Sequence, residues 1–196
     1  IIYTGQRKEL EQKQKESDLR HRSLVESLPL GIGIHQKGRL VYANEYAVSL
    51  MEADNVDQLI GKSVLEFVHP EEFQSVKERM IKVMMGQSIS GVRERYLTLK
   101  GKEIFVETSA YPFTFFGEPA VQLIVRDITE QTKTQEKIRK TELLFSELFN
   151  SSPMAIVLLD NKGNVDRVNL GFEQMFGFTI SELKGKSLNE FIVPPT

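Results

Sequence analysis

Residues 61–70 read GKSVLEFVHP, and residues 185–194 read GKSLNEFIVP. Six of these ten positions are identical at an offset of 124 residues, and two more exchange one aliphatic side chain for another. A match that dense at one fixed offset is an internal repeat, which commits the chain to building the same supersecondary unit twice. The likeness extends upstream: Leu28-Pro29 with GIGIHQKGRLVYAN (31–44) parallels Ser152-Pro153 with AIVLLDNKGNVDRVN (155–169), with one residue inserted. Each copy holds two short apolar runs about a Lys-Gly pair (Lys37-Gly38, Lys162-Gly163), which predicts a β-hairpin. Each hairpin ends on an asparagine, Asn44 or Asn169, directly before a helical pattern. An asparagine oxygen can accept an orphan N–H of a first helical turn, so both are expected to be N-caps.

Beyond the repeated segment the copies part. In the first, His69-Pro70-Glu71-Glu72 reads as a helix start, and Phe73, Val76, Met80, Val83 and Met84 recur as one apolar face up to Gly86. Strands are then expected over 92–99, 103–113 and 120–129, separated by turns at Lys100-Gly101 and Gly117. The order is ββ, short helices, βββ, which predicts an α+β unit with helices on one face of an antiparallel sheet. The second copy holds only the hairpin, a capped helix and the GKS segment, a small unit with little apolar surface to bury. The expected organisation is a linker helix over 1–19, a complete unit over 20–129, a linker helix over 130–142, and half a unit over 143–196. The chain is therefore expected to be a fragment of something longer.

Charged segments precede each copy. Leu10, Leu24 and Leu28 in the first, and Ile138, Phe145 and Leu148 in the second, lie at heptad-compatible spacing, which predicts helices that pair two chains as a coiled coil. Their mixed charges, and a net charge of −2, give no stripe for nucleic acid. No stretch has the ~18 uninterrupted apolar residues of a membrane span. The absence of cysteine fits a cytoplasmic protein and excludes thiolate catalysis and thiol-linked chromophores.

Two Gly-Lys-Ser triplets invite a phosphate-binding reading. That loop needs a glycine five positions earlier, where the chain has Val56 and Ile180, so neither qualifies. Gly31-x-Gly33 lacks the third glycine of a dinucleotide loop and is expected to allow close backbone packing instead. The three histidines have no ligand spacing for a metal. His21 is expected on an exposed helix, His35 on the outer face of the sheet, and His69 at a helix start.

The element order, with Tyr42-Ala43-Asn44, Gly61-Lys62-Ser63, Lys100-Gly101, Phe105-Val106-Glu107 and Arg126-Asp127-Ile128-Thr129, resembles a PAS sensor domain. The resemblance covers the whole family pattern over 20–129 and its N-terminal half over 143–196. It implies a signal-input module without catalysis of its own, relaying to an effector through helical linkers. Tandem units of this kind are typical of sensor histidine kinases and of proteins that turn over cyclic-di-GMP. The ending Asn189-Glu190-Phe191-Ile192-Val193-Pro194 inclines the reading toward cyclic-di-GMP. Two other readings are an enzyme whose catalytic domain lies elsewhere and a ligand-free dimerisation spacer.

The cofactor is left unknown by the resemblance. Flavin-trapping members need an Asn-Cys motif, and haem-binding members place a histidine on the long helix; residues 70–86 contain none. A small-molecule pocket between the long helix and the sheet would fall on Phe73, Val76, Met80, Val106, Thr108 and Val121, although an apolar stripe of this kind is more often plain core. Signal relay would fall on Asp127, Ile128 and Thr129, with an arginine such as Arg126 or Arg95 as a partner for Asp127.

Overall fold

The computed structural model describes residues 28–192. The helix expected over 1–19, together with Leu10, His21 and Leu24, lies outside the described residues. The chain divides into two compact units between Thr132 and Lys133. In the first, β1 (Gly31–Gln36) and β2 (Arg39–Ala43) form the expected hairpin. Helix α1 (Glu45–Leu50) follows, then three single 3-10 turns, then α2 (Phe73–Met84). Strands β3 (Ile89–Leu97), β4 (Glu103–Phe115) and β5 (Glu118–Asp127) complete a five-stranded antiparallel sheet in the order β2-β1-β5-β4-β3. The helices cover one face, and their shared core holds Met51, Leu59, Phe67, Val68, Val76, Ile104 and Val106 among others.

One continuous helix, α3 (Thr129–Ser151), occupies the span expected to hold a shorter linker. The second unit has the hairpin β6 (Val157–Leu159) and β7 (Val165–Val168), then α4 (Leu170–Phe176), α5 (Ile180–Leu183) and α6 (Asn189–Ile192). Its core is small: Val165, Val168, Phe172 and Leu183, flanked by Ala155, Val157, Phe178 and Leu188.

Both asparagines are N-caps, and each does more than cap. The Asn44 Oδ1 accepts from Ala47 N–H at 2.9 Å, closing the first turn of α1, and from Ile32 N–H of β1 at 2.9 Å. Its Nδ2 donates to the Leu30 carbonyl at 2.9 Å. Asn169 repeats this set, accepting from Phe172 N–H at 2.9 Å and Ile156 N–H at 2.8 Å, and donating to the Met154 carbonyl at 2.8 Å. Each side chain therefore ties the entry of a hairpin to the helix that leaves it.

The repeated GKS segment is a second tie. Gly61 N–H donates to the Leu40 carbonyl at 2.7 Å, and Leu40 N–H donates back to the Lys62 carbonyl at 3.0 Å. In the second unit Gly185 and Val165 pair at 2.8 Å, and Val165 and Lys186 at 2.9 Å. Gly61 and Gly185 have φ of +80° and +77°, a conformation in which a Cβ is strained, so the segment needs glycine at that place. Ser63 then caps a 3-10 turn, with the Glu66 carboxylate accepting from the Ser63 N–H at 2.9 Å. The repeated motif fastens a loop to the free side of each hairpin.

Two expectations about faces are corrected. Met84 is 70% exposed rather than part of the apolar stripe. Val76 and Val83 define the buried line of α2, and Met84 stands one residue, about 100° of turn, beyond it. His35 is buried at 3% exposure rather than outward-facing. Ile32 and Ile34 suggest that the isoleucines point inward, but the register pairs Gly31 with Val125, Gly33 with Leu123 and His35 with Val121. The helix-covered face of β1 is thus the one bearing two glycines and the histidine.

Asn44→Ala is expected to destabilise the first unit by about 2–4 kcal/mol, combining the lost cap with the buried N–H of Ile32 left unpaired. Asn55→Ala removes an exposed cap and should cost under about 1 kcal/mol. Urea unfolding of both variants checks this; equal midpoints would show that the second bond of Asn44 contributes nothing.

Candidate functional site

Between α2 and the inner face of the sheet lies a cavity of about 50 Å³. Of the residues expected to form it, Val76, Met80, Thr108 and Val121 do line it. Val106 and Phe73 do not: Val106 is fully buried in the adjoining core, and Phe73 packs half-buried against that core. Residues from β1 and β3 that sequence reasoning missed supply most of the polarity.

Alternation along β3 puts Val92, Glu94 and Tyr96 on the inner face, opposite Thr108, Val106 and Ile104 of β4. Glu94 is only 6% exposed, and an unpaired carboxylate there would carry a large desolvation cost. Arg79 of α2 forms an ion pair with it. The Tyr96 hydroxyl donates to the other oxygen of Glu94 at 3.3 Å, and the Thr108 hydroxyl donates to Tyr96 at 3.4 Å. Burial, together with the Glu94 charge, holds the Tyr96 hydroxyl well above the usual phenol range, so it stays protonated. The result is a chain of bonds, Thr108 to Tyr96 to Glu94 to Arg79, joining β4, β3 and α2. A glutamate in phase with Val92 and Tyr96 was the available sequence signal.

His35 faces this cavity from β1. Its Nδ1 is buried and has no hydrogen-bond partner among the described residues. Burial lowers its pKa from 6.5 to about 4, so the ring is neutral at physiological pH.

At the end of β5 the residues expected to relay signals form a local lock. Thr129 N–H donates to the Asp127 carboxylate at 2.8 Å. Phe105 N–H donates to the Thr129 hydroxyl at 3.0 Å, and Ile128 N–H donates to the Phe105 carbonyl at 2.9 Å. Ile128 and Thr129 are buried, so the start of α3 is fastened to β4 as well as to β5. The arginine partner named as Arg95 is engaged elsewhere, bonding Glu71 at 2.5 Å and Glu72 at 3.3 Å. Farther along α3, Ile138, Phe145 and Leu148 are 54%, 42% and 63% exposed.

Among the described residues no group of three or more His, Asp or Glu side chains could hold a metal ion. Among them, too, no helix is long and apolar enough to cross a membrane.

Two outcomes are expected from this geometry. Between about pH 6.5 and 4 the unfolded chain binds a proton at His35 that the folded chain refuses, so stability falls as pH falls through that window. The loss between pH 7 and pH 4.5 should be roughly 2–3 kcal/mol. Urea midpoints at the two pH values should converge in His35→Leu; an unchanged slope would place the acid sensitivity in other groups. Met80→Ala should cost about 1–2 kcal/mol, below the range for fully buried methionine, because the side chain is half-buried. A urea-derived loss above about 3 kcal/mol would contradict that placement.

Residues 29–130 match a PAS domain family model, and residues 143–196 match a second PAS domain model. Sporulation kinase A of Bacillus subtilis (strain 168) is 34% identical over 145 residues, 74% of this chain. Sporulation kinase E of the same organism is 28% identical over 160 residues, 79% of this chain. The chain spans 24% and 20% of the lengths of these two relatives. The PAS domain of an HTR-like protein from Haloarcula marismortui superposes with a TM-score of 0.53 at 22% identity, over 62% of this chain and 99% of that one. A PAS domain from Colwellia psychrerythraea gives 0.50 at 20% identity, over 57% of this chain and 98% of that one. The five-stranded sheet, the covering helices and the two matched segments agree: this chain belongs to the PAS domain family, with two PAS units in series, the second shorter than the first.

Proposed function

We propose that this chain is the signal-input region of a sensor histidine kinase in the cytoplasm. The observation that carries this reading is the 145-residue likeness to Sporulation kinase A, which is longer than either PAS unit alone. Both named relatives are kinases, and neither favours the cyclic-di-GMP reading to which residues 189–194 inclined. Phosphotransfer would belong to sequence outside the two PAS units, with this chain setting its rate.

The input would be a small molecule in the cavity beneath α2, contacting Val76, Met80, Thr108 and Val121, with Phe73 and Val106 as the supporting core behind them. The output would run through Asp127, Ile128 and Thr129, where shifts of the sheet become shifts of α3. The exposed line of Ile138, Phe145 and Leu148 favours a homodimer joined along α3.

Full-length protein incubated with labelled ATP should acquire an acid-labile phosphohistidine. Cyclic-di-GMP made from GTP, with no phosphohistidine, would overturn the kinase reading. Asp127→Ala removes a local cap from an exposed side chain, so the urea midpoint should fall by no more than about 1 kcal/mol. Its phosphorylation rate should nevertheless change several-fold. A variant that folds and phosphorylates at the parent rate would reduce Asp127 to a helix cap.

A further inference from the structure

The charge balance around the cavity restricts what can enter it. Arg79 and Glu94 contribute one positive and one negative charge, already paired with each other. A charged ligand would have to leave water for a site with no spare counter-ion, at a desolvation cost the remaining partners do not offset. His35 adds no charge near neutral pH, and Tyr96 stays protonated. What the site does offer is one imidazole nitrogen, on a side chain 3% exposed, with no hydrogen-bond partner among the described residues. Tyr96 and Thr108 line the same cavity, and the bond between their hydroxyls is long at 3.4 Å. The remaining wall is aliphatic, with Val68, Val83 and Val121 among it. A cavity of 50 Å³ has room for about three to five non-hydrogen atoms.

We infer that the cavity of the first PAS unit selects a small uncharged molecule carrying both a hydrogen-bond donor and an acceptor, held by His35 Nδ1 and by the hydroxyls of Tyr96 and Thr108. This inference rests on the sensory reading above and adds the chemical class of its ligand. A buried polar atom without a partner is destabilising, and a protic ligand that satisfies it gains binding free energy which an alkane of equal size cannot. The ring can present either an N–H or a lone pair at Nδ1, so a ligand with both functions suits either tautomer. An ion of the same shape meets the closed Arg79–Glu94 pair and is excluded.

Three probes of nearly one shape separate these cases: propionamide (neutral), propionate (anionic) and propylammonium (cationic). Each is titrated into the 196-residue chain near neutral pH, while the imidazole nitrogen signals of His35 are followed by NMR. Propionamide should shift them saturably at millimolar concentration, the range open to so few atoms. The two ions should leave them unmoved at the same concentration. His35→Leu should abolish saturable binding of propionamide, read at the methyl signals of Val83 and Val121. Tyr96→Phe, a milder change, should weaken it at least several-fold, which keeps the test open if the first variant unfolds. Equal response to an ion, or no saturable response to propionamide, would overturn the inference. Neither result bears on phosphohistidine formation, so the kinase reading stands or falls separately.

Discussion

One buried asparagine in each unit holds the rest in place. Asn44, at 1% exposure, and Asn169, at 0%, each receive two backbone N–H groups on one oxygen and give their amide to the chain before the hairpin. Such a side chain does not tolerate partial occupancy of its bonds, because an amide taken out of water loses more than one missing bond would suggest. The hairpin, the first helix and the loop that leads into the strand are therefore tied to one another. The GKS segment adds two backbone bonds from the far side, and its glycine is fixed by a positive φ. With these ties made, β1 is free to take β5 as its other neighbour and bring the two ends of the domain together at the centre of the sheet.

That central placement has a cost in the interior. The inner face of β1 carries Gly31, Gly33 and His35, so no large apolar side chain fills the space beneath α2 from that strand. An added Cβ at Gly33 would come within 3.2 Å of the Leu40 side chain, so glycine leaves room for that leucine, while His35 lines the cavity. On the other side Glu94 brings a carboxylate inward and requires Arg79 to follow it. A plain hydrophobic core of the same volume would be at least as stable as this arrangement. What the polar chain provides is a directional link from α2 through β3 to β4, in a region whose neighbouring side chains are otherwise interchangeable aliphatics.

The end of β5 repeats the same economy on the backbone. Asp127, Ile128 and Thr129 spend their bonds on one another and on Phe105, and two of the three are buried. Rotation of β4 against β5 would strain those bonds directly, while α3 continues from them for 23 residues. The apolar stripe of α3, by contrast, is left largely exposed.

Much of this was legible in the amino-acid sequence, because the relevant forces are local. The internal repeat fixed two hairpins and two N-caps, since turn glycines and capping asparagines act within three or four residues of themselves. The spacing of Phe73, Val76, Met80 and Val83 announced α2, and the run Arg126-Asp127-Ile128-Thr129 marked the handover from strand to helix. The face of β1 was not legible: isoleucines alternate with glycines there, and only pairing with Val121, Leu123 and Val125 decides which set meets the helices. For the same reason the sequence pattern points His35 to the outer face of the sheet and gives no sign of the Arg79–Glu94–Tyr96–Thr108 chain. Its members come from three elements that sequence distance keeps apart, and hydrogen bonding among them exists only once the sheet has fixed the register. Local chemistry determined the parts of this protein, and strand pairing decided which polar groups it buries together.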